Sequence, residues 1–194
     1  MPCATSPRCG VCLTRPEASA LQACAAAVDY AYPWDGLIAR FKFQGEPGWA
    51  THFAHRMLQA PLSTTLLSQS DLLVPVPLTA ARLADRGYNQ AWELAKALKR
   101  LCAVVVAAQP LADALVRLIE VPDQHGLPRE QRLRNLHGVF APHPLRTPQL
   151  AGKRILLVDD VTTTGATLQS AAHALLQAGA AEVSALVFAC TPPR

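Results

Sequence analysis

Apolar residues fall along this chain in two rhythms, short unbroken runs and longer stripes at helical spacing, and they alternate. Asp71-Leu72-Leu73-Val74-Pro75-Val76-Pro77 is a short apolar run closed by two prolines, which predicts a buried strand whose tip turns sharply into a loop. That loop carries Arg82, Arg86 and Gly87. Beyond it Ala91, Leu94, Ala95, Leu98 and Leu101 recur at helical spacing, with Lys96, Lys99 and Arg100 off the stripe, and predict an amphipathic helix. A second run, Lys153-Arg154-Ile155-Leu156-Leu157-Val158, predicts a parallel core strand. Ala166 to Ala178 then predicts a helix stopped by Gly179, and Val183 to Ala189 another strand. The alternation predicts βαβ units, hence an α/β fold with a mostly parallel central sheet flanked by helices.

The other segments are less regular. Leu37, Ile38, Phe41, Phe53 and Met57 predict two short helices between Asp35 and Met57, separated by the turn cluster Gly45-Glu46-Pro47-Gly48. Residues 103–119 hold further apolar runs. From Val121 to Arg134 the chain is polar, basic and broken by Pro122, Gly126 and Pro128, the pattern of a mobile excursion. Residues 1–30 are rich in Cys, Ala and Pro without a clear period, which predicts a small N-terminal appendage to a main domain over 31–194.

The chain's 194 residues suffice for one full α/β core with a small addition. A hydrophobic share of 51% against 16% charged excludes a disordered or fibrous protein. Formal charge is +4, with arginines gathered between Arg82 and Arg100 and between Arg129 and Arg134, a balance that suits anionic ligands such as phosphates and also weak nucleic-acid contact. No window reaches the roughly 18 apolar residues of a membrane span, and no secretory leader pattern opens the chain, so the expected location is the cytoplasm without membrane insertion.

Candidate chemistry concentrates after Val158. Asp159 and Asp160 stand at the C-terminal tip of a predicted buried strand, where ligands bind in open α/β sheets. Ionised carboxylates only accept hydrogen bonds, and a pair of them matches the vicinal hydroxyls of a ribose. The loop Thr162-Thr163-Thr164-Gly165-Ala166-Thr167 offers backbone N–H groups and hydroxyls just before a helix N-terminus, whose dipole favours an anion. Neither G-x-x-x-x-G-K-[ST] nor a G-x-G-x-x-G after a strand occurs, which disfavours ordinary nucleoside triphosphatases and dinucleotide enzymes.

The run from Ile155 to Thr167 resembles the donor-binding signature of type I phosphoribosyltransferases, enzymes that use phosphoribosyl pyrophosphate (PRPP) and Mg²⁺. That resemblance implies that Asp159 and Asp160 hold the ribose hydroxyls and that Val161, Thr162, Thr163, Thr164, Gly165, Ala166 and Thr167 bind the donor, chiefly its 5-phosphate. A narrower resemblance covers almost the whole chain. Val74-Pro75-Val76-Pro77-Leu78, Arg86-Gly87-Tyr88-Asn89-Gln90, Lys42-Phe43-Gln44-Gly45 and the stretch Arg132 to Phe140 look like the ComF (competence protein F-like) family, named for competence in DNA uptake. It implies that the loop after Pro77 cradles pyrophosphate through Arg82 and Arg86; the polar, basic stretch with Arg129, Arg132 and Arg134 offers a second source of cations, able to close over the site and exclude water. Departure of pyrophosphate leaves an oxocarbenium-like sugar, so the leaving group needs such cations beside it. No residue presents itself as an obvious general base; His125 and His137 are candidates only by their nearness to the mobile loop. The acceptor is unknown, and the resemblance also implies a homodimer.

Cys9-Gly10-Val11-Cys12 is a C-x-x-C pair able to grip one tetrahedral Zn²⁺, with Cys3 close enough to join and Cys24 a further candidate. The family's zinc ribbon has two such pairs; Cys3 matches the second member of the first, whose partner would fall before Met1. Free thiols in a leader are the alternative. Two functions follow from the sequence: Mg²⁺-dependent phosphoribosyl transfer from PRPP to an acceptor, linked to DNA uptake, or a non-catalytic PRPP sensor or adaptor of the DNA-uptake machinery on the same fold.

Overall fold

A computed structural model describes residues 19–102, 107–118 and 138–191. Its first element is strand β1 (Cys24–Asp29), followed by helices α1 (Trp34–Phe43), α2 (Trp49–Leu58) and α3 (Ser63–Gln69). Strand β2 (Leu72–Pro75) leads through α4 (Ala80–Arg86) into α5 (Gln90–Leu101) and the two-residue β3 (Gln109–Pro110). Then come β4 (Leu115–Arg117), β5 (Phe140–Pro142), α6 (Thr147–Leu150), β6 (Arg154–Thr162), α7 (Ala166–Gln177) and β7 (Glu182–Cys190). The main sheet runs β1-β7-β6-β2-β3 with every pair parallel, and β4–β5 form a separate antiparallel ribbon. The expected parallel sheet flanked by helices is the fold observed.

Strand β6 shows why it sits at the centre. Ile155, Leu156, Leu157 and Val158 are all buried, and successive side chains of a strand point to opposite faces. Leu156 and Val158 join the core beneath α1, α2, α3 and α5, with Phe41, Phe53, Met57, Leu94 and Leu98. Ile155 and Leu157 join the opposite core beneath α7 and the ribbon, with Leu115, Phe140, Leu168 and Leu175. Parallel strands need such crossover helices, which cover both faces of the sheet.

The two helices expected between Asp35 and Met57, the amphipathic helix and the strands of the two apolar runs all form. Three expectations change. The boundary placed after residue 30 falls behind β1, a strand of the main sheet: Cys24 pairs with Ala185 and Val28 with Ala189. The loop expected after Pro77 contains the seven-residue helix α4, capped by Thr79, whose side chain accepts from Arg82 N at 3.3 Å, and closed by Gly87 at φ 75°. Strand β6 runs on past Val158 and takes both aspartates with it.

Candidate donor-binding site

The site arises where β2 leaves the sheet. Its last ladder partner is Val158, opposite Pro75, and Val76 N still donates to Val158 O at 3.0 Å. From Asp159 onward β6 is paired only with β7, through Asp159–Val187, Val161–Ala189 and Thr162–Cys190. Chain connections also diverge here, since β2 leads outward to β3 while β6 leads the other way to β7. This is the switch point of an open parallel sheet. A cavity of about 210 Å³ occupies the gap.

Four cations and two carboxylates line it: Lys42, Arg82, Arg86 and Arg117 around Asp159 and Asp160. Strand alternation sends the aspartates to opposite faces, and each meets a different element. Asp160 shares the face of Leu156 and Val158 and is buried; its Oδ1 lies 3.1 Å from Lys42 Nζ at the end of α1. Asp159 lies on the face of Leu157, toward the ribbon that carries Arg117. Asp159 Oδ1 accepts from Asp160 N at 2.9 Å. Burial, and next the charge of Asp160, push the Asp159 carboxyl up to about 8, against the opposing pull of Lys42, the Asp160 N–H and Arg117.

Arg86 ends α4. Its Nη1 donates to Gln90 Oε1 at 3.1 Å, and its guanidinium lies 4.9 Å from the centre of the Phe43 ring. Asn89 holds this corner in place: its Oδ1 accepts from Trp92 N at 3.2 Å to cap α5, while its Nδ2 donates to Val76 O at 3.1 Å. Opposite, the chain leaves β6 at Thr162 and turns through Thr163, Thr164 and Gly165 into α7. Gly165 adopts φ 74° immediately before the helix, a conformation natural to glycine, and Ala166 N donates to Thr164 Oγ1 at 3.4 Å. The first N–H groups of α7 have no carbonyl a turn earlier, and their dipole favours negative charge beside the carboxylates.

Of the residues expected from sequence, Asp159, Asp160, Val161, Thr167, Pro77, Arg82 and Arg86 line the cavity together. Thr162, Thr163, Thr164, Gly165 and Ala166 flank it as the strand-to-helix turn. Arg129, Arg132, Arg134, His125 and His137, and the cysteines Cys3, Cys9 and Cys12, lie outside the described residues. Cys24 is on β1. Sequence reasoning missed Lys42, Arg117, Asn89 and Gln90 as cavity residues, although Lys42, Asn89 and Gln90 stand in the stretches that carried the ComF resemblance.

Residues 84–193 match the phosphoribosyl transferase domain family. The chain belongs to that family, in its ComF branch. This ComF-type chain is 35% identical over 178 residues to the DNA utilization protein YhgH of Escherichia coli (strain K12), covering 90% of itself and 74% of that protein. It is 32% identical over 158 residues to competence protein F of Haemophilus influenzae, covering 79% and 66%. With competence protein ComFC of Bacillus subtilis it shares 33% over 152 residues, covering 78% and 57%. The family match begins within α4 and takes in Arg86, both aspartates and the turn into α7, but not Lys42.

Proposed function

We propose that this ComF-family chain binds PRPP with Mg²⁺ in the cavity at the end of β6 and transfers the phosphoribosyl group to an acceptor. The observation that carries the reading is the side-by-side arrangement of two carboxylates, a helix N-terminus and a cluster of cations within one cavity. The carboxylates suit the two ribose hydroxyls, the turn into α7 suits the 5-phosphate, and Arg82 and Arg86 suit the pyrophosphate.

The donor set also fits Mg²⁺ delivered with its substrate. Among the described residues no group of three or more acidic, His or Cys side chains could form a protein-only metal site. Mg²⁺ commonly takes one or two carboxylates plus substrate phosphate oxygens. Asp159 and Asp160 would hold it, and the cation would supply charge neutralisation for the pyrophosphate. The chain's own residues do the rest: Lys42 and Arg117 keep the aspartates in place, while Arg82 and Arg86 receive the charge that develops on the leaving oxygens.

Calorimetric titration of PRPP with Mg²⁺ tests this. Saturable binding by the wild type, lost in the Asp159→Ala/Asp160→Ala double variant, is expected; a well-folded wild type without binding overturns it. The relatives' names, competence and DNA utilization, favour a role in the handling of incoming DNA. They also motivate a second reading, a PRPP sensor or adaptor of that machinery. PRPP that binds and is never consumed, with water or with any of a panel of amine and nucleobase acceptors, would select it; consumption abolished by Asp160→Ala would select the enzyme.

A further inference from the structure

The last turn of α1 lies outside the segment that carries the family match, yet two successive side chains on it meet cavity residues: Lys42 lines the cavity beside Asp160, and Phe43 lies against Arg86. Lys42 Nζ is 3.1 Å from Asp160 Oδ1, with the lysine side chain 21% exposed. Phe43 is 68% exposed, an unusual place for a large aromatic, and its ring lies against the Arg86 guanidinium at 4.9 Å. That guanidinium is thus held by a π-face on one side and by the Gln90 amide oxygen at its edge. The turn is itself fastened. The final carbonyls of a helix lack intrahelical donors; here Tyr88 Oη donates to Phe41 O, and Gln90 Nε2 donates to Lys42 O at 3.5 Å. Both bonds tie α1 to the corner that carries Arg86.

We propose that Lys42 and Phe43 are positioning residues of the donor site, Lys42 acting through Asp160 on the ribose 5-phosphate half and Phe43 acting through Arg86 on the pyrophosphate half. The inference rests on the reading of the cavity as a PRPP site. Two neighbouring carboxylates repel an anionic sugar phosphate, and Lys42 offsets one of those charges while holding the carboxylate in a fixed rotamer. An arginine at a wet cavity mouth loses rotamer freedom when it grips a phosphate. The Phe43 ring bears part of that cost before the ligand arrives.

The test uses the two halves of the donor as separate probes. Ribose 5-phosphate, inorganic pyrophosphate and PRPP, each with Mg²⁺, are titrated into the wild type, Lys42→Met, Lys42→Arg, Phe43→Ala and Phe43→Tyr, with thermal melts to establish folding. Lys42→Met is expected to weaken ribose 5-phosphate about tenfold and pyrophosphate several times less. Phe43→Ala is expected to weaken pyrophosphate about fivefold and leave ribose 5-phosphate unchanged. Lys42→Arg and Phe43→Tyr recover most of each loss. A loss spread evenly over both half-ligands, or none at all, overturns the inference while PRPP binding by the wild type stands. A wild type that binds none of the three overturns the donor-site reading, and this inference with it.

Discussion

At the scale of single residues the site is a problem of adjacent like charges, and the backbone solves half of it. Because Asp159 and Asp160 are neighbours in a strand, they leave it on opposite faces; Lys42 on α1 pairs with Asp160 and also acts on Asp159, to which Arg117 on β4 adds a second positive charge. The remaining burden falls on Asp159, whose carboxyl is held up near 8 by burial and by Asp160. A carboxyl raised in the folded state binds its proton more tightly there than in the unfolded chain, where it ionises near 4. Stability therefore falls as pH rises from that unfolded value through about 8. We expect the stability of the wild type to fall steadily between pH 5 and pH 8, and that of Asp159→Asn to fall much less, as read from urea unfolding at the two pH values. The aspartates and the turn after them were legible in the sequence because their chemistry is contiguous. Lys42 and Arg117 were not, because each lies some forty or more residues from the carboxylates and only the fold brings them close.

Elements were legible in proportion to the apolar stripe each buries. Helix α5, with Ala91, Leu94, Ala95 and Leu98 buried, was readable at once. Helix α4 buries none of its side chains, so it has no stripe to read and looked like loop. Helix α3 is seven residues long and offers only Leu66 and Leu67 as large buried side chains, too few to define a period. Strand β1, Cys-Ala-Ala-Ala-Val-Asp, is built largely of alanine, a residue depleted in strands, so its sequence carries little strand signal. Two predictions belong to this scale. Asn89→Ala removes the cap of α5 and the tie to Val76 together and should cost about 1 to 2 kcal/mol in urea unfolding. Asp71 clips the starts of β2 and β6: its Oδ2 accepts from Arg154 N at 2.9 Å and its Oδ1 from Arg154 Nη2 at 3.0 Å, and these bonds lower its carboxyl to about 2. A lowered carboxyl stabilises above its unfolded value and loses that contribution as pH falls toward 2. Asp71→Asn should therefore cost about 1 kcal/mol at pH 7 and close to nothing at pH 2.

Across the whole molecule the two cores are unequal in kind. The α1–α2 side is aromatic, with Phe188 stacked on Phe53 at 4.0 Å and met edge-on by Trp34 at 5.6 Å. The α7 side is mainly aliphatic, built from leucine, valine and alanine side chains with Phe140 as its one buried aromatic among the described residues. Phe188→Ala should cost about 4 kcal/mol, measured by chemical denaturation, and should broaden the transition if α1 detaches first. Such detachment would carry Lys42 and Phe43 away from the cavity, so binding would weaken before the sheet unfolds.

The strand order also sets a schedule. Among the described residues β1 is the first strand, and its ladder partner in the sheet is the last, β7. On a ribosome adding about 5 to 20 residues each second, β1 waits on the order of ten seconds for that partner to be made. Its backbone groups must stay solvated or be shielded in the meantime. The sheet thus closes only after synthesis has passed Cys190, and a nascent chain arrested before β7 would hold the carboxylates of β6 on a strand whose neighbour on that side does not yet exist.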